Sequence, residues 1–240
     1  MTLIVDALNR IARKCSVAAP SSWVTATTQT HVEIRDDFLV EAVDEITKRV
    51  DWPAPVSAST TITGDGSAEY DLPADFRRLQ FGDAAVYETT STRRFGVNVP
   101  SDGAWTHLLT TGTGGGNRFF RIKGYDGNFS IEFYPVLASG VEVTINYVST
   151  LWMANAAGTA GGTFSSETDV LLFPRRLIEL GTIKRFREQK GLEPGPEGQE
   201  FEAWLLSEEK RLRSRGAICF SEKSDRHPMR LPVPDYITSS

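Results

Sequence analysis

Tyr70-Asp-Leu-Pro-Ala-Asp-Phe-Arg-Arg-Leu-Gln80 is the stretch whose reading decides the fold. It changes grammar midway. Tyr70 and Leu72 alternate as in a strand. Pro73 then fixes φ, removes a backbone donor and pushes Leu72 toward extended geometry. Asp75 is expected to accept hydrogen bonds from the backbone N–H groups just ahead of it. Phe76 and Leu79 are spaced to enter one core. The stretch reads as a strand that ends in a tight turn stapled by an aromatic residue. We read Tyr70, Leu72, Pro73, Asp75, Phe76 and Leu79 as a structural corner.

Upstream lie two helical patterns. Residues 2–15 carry an apolar stripe through Ile4, Leu8, Ile11 and Cys15, with Thr2 as the expected N-cap. From about Ile34 to Val50, Leu39, Val43, Ile46 and Val50 mark a second apolar face. Acidic residues crowd its start, Lys48-Arg49 close it as the helix dipole favours, and Trp52-Pro-Ala-Pro55 ends it.

Around and after the corner, roughly residues 55–150, the pattern is β. Strands are expected near Ser57–Thr63, Glu69–Leu72, Ala84–Tyr87 and Phe119–Ile122. Two runs then alternate clearly: Phe129, Ile131 and Phe133, followed by Val141, Val143, Ile145 and Tyr147. These two are expected to form an antiparallel pair, each with one buried and one wet face. Residues 151–166 contain the low-complexity run Ala154–Thr163 and read as a flexible linker or long loop. A third helix begins near Ser166, with its main part starting at Pro174 as first residue and stopping at Gly191. A fourth runs from about Glu197 to Arg215. Beyond Gly216, Pro228, Pro232 and Pro234 make an extended arm.

The order predicts an α+β protein: a four-helix bundle with an inserted antiparallel β-sandwich or barrel-like block and an extended C-terminal arm. Its segments are residues 1–54 (first half of the bundle), 55–150 (the β domain), 151–166 (the linker), 167–216 (second half of the bundle) and 217–240 (the arm).

The chain has 240 residues and a formal net charge of -5. That balance argues against a generic nucleic-acid binder. No apolar run reaches the length of a membrane span, and the start lacks a signal-peptide pattern. Cys15 and Cys219 fit buried or free thiols of a reducing cytoplasm better than a pair, which is the alternative.

Little in the chain suggests chemistry. His31, His107 and His227 make no helix-borne metal pair. Gly112-Thr-Gly-Gly-Gly116 lacks the Lys-Ser/Thr of a phosphate loop and reads as a loop of the β block. The adjacent carboxylates Asp36/Asp37 and Glu208/Glu209 read as solvated helix faces. Arg118-Phe-Phe-Arg121 and Arg93-Arg94-Phe95 read as core aromatics flanked by exposed arginines, with a nucleic-acid stacking surface as the alternative. The run Lys210, Arg211, Arg213 and Arg215 reads as a solvated helix end, with contact to an acidic partner surface or to passing nucleic acid as the alternatives. No catalytic residue, metal or cofactor is assigned, and the chain is read as a protein of contact and not as an enzyme.

Tyr70-Asp-Leu-Pro-Ala-Asp-Phe-Arg-Arg-Leu79 resembles the Y-x-L-P-x-D-F-x-R-L signature of head–tail adaptor (connector) proteins of tailed bacteriophages. Three further features are similar to that family: the acidic, apolar second helix with its Trp-Pro stop; Phe129-Ser-Ile-Glu-Phe-Tyr-Pro135 before a Val-rich strand ending in Tyr147; and Asp169-Val-Leu-Leu-Phe-Pro174 leading into Leu177-Ile-Glu-Leu-Gly181. The resemblance implies a virion structural protein of the neck, made in the host cytoplasm. It implies a ring of about twelve copies beneath the portal, joining a DNA-filled capsid to the tail. The expected partners are further copies of the chain, the portal protein and a tail, tail-completion or nozzle protein. Packaged DNA passes the lumen nearby without specific contact, and no membrane is involved. The arm would dock on the portal through Phe220, Met229, Leu231, Val233 and Tyr236. A different neck or tail-completion ring is the alternative, and a glycan- or nucleic-acid-binding β domain the second.

Overall fold

The computed structural model describes residues 2–81, 85–89, 97–99, 101–112, 118–125 and 127–215. The elements run α1 Ile4–Lys14, α2 Gln29–Val32, a π-helical stretch Glu33–Phe38 and α3 Leu39–Arg49. Then come β1 Ser57–Thr63, β2 Glu69–Asp71, β3 Phe76–Leu79, β4 Val86–Glu88, β5 Val97–Asn98 and α4 Asp102–Thr111. They are followed by β6 Phe119–Tyr125, β7 Asn128–Tyr134, β8 Glu142–Ser149, β9 Met153–Ala154, β10 Ala160–Gly161, β11 Val170–Leu171, α5 Arg175–Gln189 and α6 Gly195–Arg215. The protein is α+β with largely antiparallel sheets.

The helices gather on α5, which packs against α1, α3, the π-helical stretch and α6. Helix α5 is buried on nearly every side, from Leu177 through Ile183 and again at Phe186. A helix covered all round needs apolar residues all round. It also needs room: a Cβ on Gly181 would stand 2.9 Å from Phe201 Cε2 of α6 and 3.0 Å from Ala42 Cβ of α3. Glycine there lets three helices close on one another.

Several expectations change. Leu3, not Thr2, caps α1, and no side chain closes it. Thr2 instead accepts a backbone bond from Leu171 (3.0 Å), so the chain start lies along β11. The second helix begins earlier than Ile34, because α2, the π-helical stretch and α3 follow without a break. Pro174 is the N-cap of α5 and not its first residue. The turn before it is not helical: Asp169 Oδ2 accepts the N–H groups of Ser165 and Ser166, each at 2.9 Å, and Val170–Leu171 is a strand.

The stretch 151–166, expected as a flexible linker or long loop, contains the short strands β9 and β10. β9 pairs with both β10 and β11, and Trp152 and Met153 are buried in the helical core. Trp152 Nε1 donates to Gly162 O at 2.7 Å. A fifth long helix, α4, stands where only strands were expected. Ser101 caps it and Gly112, at φ 64, ends it.

Among the described residues the β region forms two sheets. One has the order β1-β8-β3, with β4 also paired to β8; the other is β2-β7-β6-β5, in which only β5 and β6 run parallel. The runs expected to pair with each other, β7 and β8, therefore lie in different sheets. Their apolar faces are turned toward one another: Ile131 and Phe133 share a buried cluster with Val143, Ile145 and Tyr147. Leu137, in the connection between them, is buried in the same cluster.

Two cores result. Strand β8 serves both. Val143, Ile145 and Tyr147 enter the β core, while Val148 enters the helical core together with Val56, Trp52 and Trp152. This follows from the twofold period of a strand, in which neighbouring side chains face opposite ways.

Candidate assembly interface

The corner is where both sheets and the helices meet. Strand β2 belongs to one sheet and β3 to the other, so Pro73, Ala74 and Asp75 carry the chain between them. Leu72 N–H bonds to Phe129 O (2.9 Å), and Phe76 N–H closes the turn on Pro73 O (2.8 Å). Phe76 is buried, its ring 5.3 Å from that of Phe129 and 5.5 Å from that of Tyr147. Leu79 is half-buried against the same cluster. Tyr70 packs edge-on to Phe133, and its hydroxyl donates to Asp65 Oδ1 at 2.9 Å.

Asp75 does something other than the local bonding expected of it. Its carboxylate accepts from Tyr147 Oη (3.0 Å) and Ser149 Oγ (2.7 Å), and its carbonyl accepts from Thr150 N–H (2.8 Å). It thus ties the turn to the end of β8. Burial, and then the hydrogen bond and charge of Asp75, push the Tyr147 hydroxyl up to about 12.

The two residues after Phe76 reach into the helices. Arg77 pairs with Asp44 of α3. Arg78 closes the carbonyl end of α3: Nε and Nη2 donate to Thr47 O (3.1 and 2.9 Å), Nη2 to Val50 O (3.1 Å) and Nη1 to Asp51 Oδ1 (2.7 Å). The last carbonyls of a helix have no partner within it, and a cation there also meets the negative end of the dipole. Asp51 Oδ2 in turn accepts from Phe81 N–H (2.6 Å), and the Arg78 guanidinium lies 4.1 Å from the Phe81 ring centroid. Sequence reasoning passed over both arginines. The pattern offered one signal, a helix ending in bare carbonyls shortly before two adjacent cations.

Beyond the corner, an ionic belt crosses α3, α5 and α6. Lys184 reaches Glu202 (2.7 Å) and Glu45 (3.3 Å), Arg49 reaches Glu202 (2.6 Å), and Arg185 reaches Glu45 (2.8 Å). Burial pulls the Lys184 ammonium down, but Glu202 and Glu45 outweigh it and hold it above the usual range. Burial likewise raises Glu202, and Lys184 and Arg49 outweigh that to hold it low. Between α1 and α5, Arg10, Arg13, Lys14 and Arg176 line a cleft of about 290 Å³ over Glu179. Arg175 (3.2 Å), Arg10 (3.8 Å) and Arg176 (3.9 Å) balance that buried carboxylate.

The aromatic–basic stretch is partly internal, and its two arginines are half-buried in ion pairs where exposed ones were expected. Phe120 is buried, Arg118 pairs with Glu88 (2.9 Å), and Arg121 pairs with Glu132 and Asp102 beneath the Trp105 ring. Phe119 is half-buried. Arg93, Arg94 and Phe95 lie outside the described residues. His31 Nε2 contacts Ala18 O (2.8 Å), and His107 is exposed on α4. Asp36 is held by Arg35 (2.6 Å), while Asp37 is exposed; Glu208 pairs with Arg211. Among the described residues no cluster of His, Cys, Asp and Glu is placed to hold a metal ion, and no helix is long and apolar enough to cross a membrane.

Of the basic run on α6, Lys210 and Arg211 are exposed. The side chains of Arg213 and Arg215 lie outside the described residues, as do Gly114–Gly116, Cys219, His227 and the arm residues Phe220, Met229, Leu231, Val233 and Tyr236. Comparison with known protein families matches residues 2–218 to the family described as SU10 adaptor protein. No curated protein matches the chain.

Proposed function

Because the chain belongs to the SU10 adaptor protein family of phage head–tail adaptors, we propose that it forms a ring beneath the portal in the neck of the virion. There it joins the DNA-filled capsid to the tail, and DNA passes through its lumen. One observation carries the reading: the family match spans both helical segments and the whole β region between them.

In this role the protein works by contact. Its partners are further copies of itself, about twelve in a closed ring, the portal protein on one face and a tail, tail-completion or nozzle protein on the other. The arm beyond Arg215 docks on the portal through Phe220, Met229, Leu231, Val233 and Tyr236. The basic end of α6 faces an acidic surface of the portal.

Native mass measurement and electron microscopy of the protein, with and without portal rings, test the assignment. A ring seated on the portal is expected. A ring that ignores the portal and binds only tail proteins makes the chain a different neck or tail-completion component. Truncation after Arg215 should abolish portal binding; undiminished binding rejects the arm as the dock. Reversing the charges of Lys210, Arg211, Arg213 and Arg215 should weaken assembly, with the loss shrinking as salt rises. Assembly indifferent to those changes returns the run to a solvated helix end.

A further inference from the structure

Strand β1 is an edge strand whose one ladder partner among the described residues is β8. The bonds from Ser149 N–H to Val56 O (2.9 Å) and from Gly64 N–H to Val141 O (2.7 Å) fix the phase of that ladder. Even-numbered residues bond to β8. The N–H and C=O groups of Ser57, Ser59, Thr61 and Thr63 therefore point away from it. No described residue bonds to them. Natural sheets blunt such edges with lysine, proline, bulges or cover. Ser57-Ala-Ser-Thr-Thr-Ile-Thr63 has no charge and no proline, and its seven pairs with β8 keep one register.

We propose that this edge accepts a strand from a second copy of the chain, and that the strand is Ala217-Ile-Cys-Phe-Ser221. The inference rests on the self-association proposed above. Three features select this occupant. First, Pro228, Pro232 and Pro234 exclude the later part of residues 216–240 from a ladder, and residues 222–226 are mostly charged. Ala217–Ser221 has neither proline nor charge. Second, its alternation matches that of β1. Ala58 and Ile62 sit half-buried at the rim of the β core, while Ser59, Thr61 and Thr63 are exposed. A strand laid beside β1 puts Ile218 and Phe220 over that rim, and Cys219 and Ser221 beside the small polar residues. Third, α6 packs chiefly on α5, and this segment follows the end of α6 directly in the sequence.

One edge and one strand per copy make a head-to-tail contact, the kind that generates rings. In this arrangement Phe220, placed on the portal above, serves the neighbouring copy instead, and Met229, Leu231, Val233 and Tyr236 keep the portal contact.

The test titrates a labelled peptide of residues 216–227 onto full-length protein carrying Ile218→Asp and Phe220→Asp, which silences the resident strand. Saturable binding is expected. Ser59→Pro should weaken it about tenfold or more, since it deletes an outward N–H and leaves the ladder to β8 intact. Ser59→Lys should do the same by charge and covers the case in which the proline perturbs folding. No binding at millimolar peptide, or binding that ignores both substitutions, overturns the proposal. To identify the donor, Ser59→Cys and Thr61→Cys are placed singly in the otherwise unaltered chain and oxidised. A disulfide to Cys219 of another copy is expected. A disulfide within one chain, or none with either cysteine, overturns the assignment. Burial pushes the Cys15 thiol up to about 11, so it competes poorly. Neither readout needs the portal. Peptide binding without a ring on the portal rejects the adaptor reading and spares this one, and a portal-bound ring without peptide binding does the reverse.

Discussion

Arg78 gives four of its hydrogen bonds to the end of α3 and to Asp51, which no shorter or unforked side chain could reproduce. Arg78→Ala should lower stability by about 2–3 kcal/mol, the scale of lost charge-assisted bonds. Arg78→Lys should recover less than half of that, because an ammonium cannot span the same acceptors. Phe76→Ala, which empties the centre of the corner, should cost roughly 3–5 kcal/mol. Denaturant titration measures all three. At Tyr147 the sign is alkaline. Its hydroxyl ionises near 10 when unfolded and about 12 when folded, so its contribution is complete below pH 10 and fades as pH rises from 10 toward 12. Tyr147→Phe should make the pH–stability curve shallower in that window. The burial of Leu72 and Phe76 was legible because alternation and turn chemistry are local. The partners of Asp75 were not. They lie 72 and 74 residues further on, and a turn aspartate is read by default as bonding to its own neighbours. Arg78 was missed for the same reason, since most of its acceptors are backbone carbonyls that leave no mark in a sequence.

At the level of the element, α5 shows why composition alone misleads. Its glycine would ordinarily weaken a helix, and alanine would ordinarily improve it by about 1 kcal/mol. Gly181→Ala should instead destabilise by about 1–3 kcal/mol, because the new methyl meets Phe201 and Ala42 at the closest helix crossing. Thermal melting distinguishes the two signs. The attachment of α6 should depend on acid. Glu202 titrates below its ordinary 4.5 in the fold, so its contribution is complete above pH 4.5 and is lost as pH falls beneath that value. Trp204 fluorescence should report α6 loosening there, and Glu202→Gln should reduce the pH dependence, leaving the part due to Glu200 and its Arg176 partner, while lowering stability at neutral pH. The long helices were legible because each repeats an apolar residue over three or more turns. Helix α4 was not, since it buries only Trp105 and Leu108. Its available signals were the Ser101 cap, Asp102 in the first turn and Gly112 at the stop. The β7–β8 error has a different source. Alternation tells which face of a strand is buried and says nothing about which strand lies beside it.

For the whole molecule, the division into helical and β regions is a matter of sequence order more than of energetics. Val56 and Val148 leave the β region to fill the helical core, and Arg77 and Arg78 bind α3 from β3. Calorimetry should therefore show one unfolding transition, and Phe76→Ala should shift that single transition instead of splitting it. Two resolved transitions would mean that the corner does not couple the cores. The path of strand β8 also has a mechanical meaning. It is bonded along its length to β1 on one side and to β3 and β4 on the other. The chain then passes through Trp152 into β9, which pairs with β11; β11 bonds back to the start of α1 and leads directly into α5. A load applied to the β region along β8 thus reaches the hub helix through ladders pulled lengthwise. Bonds loaded that way must slide together and cannot peel one at a time, so the molecule should resist tension along this line far better than tension across it.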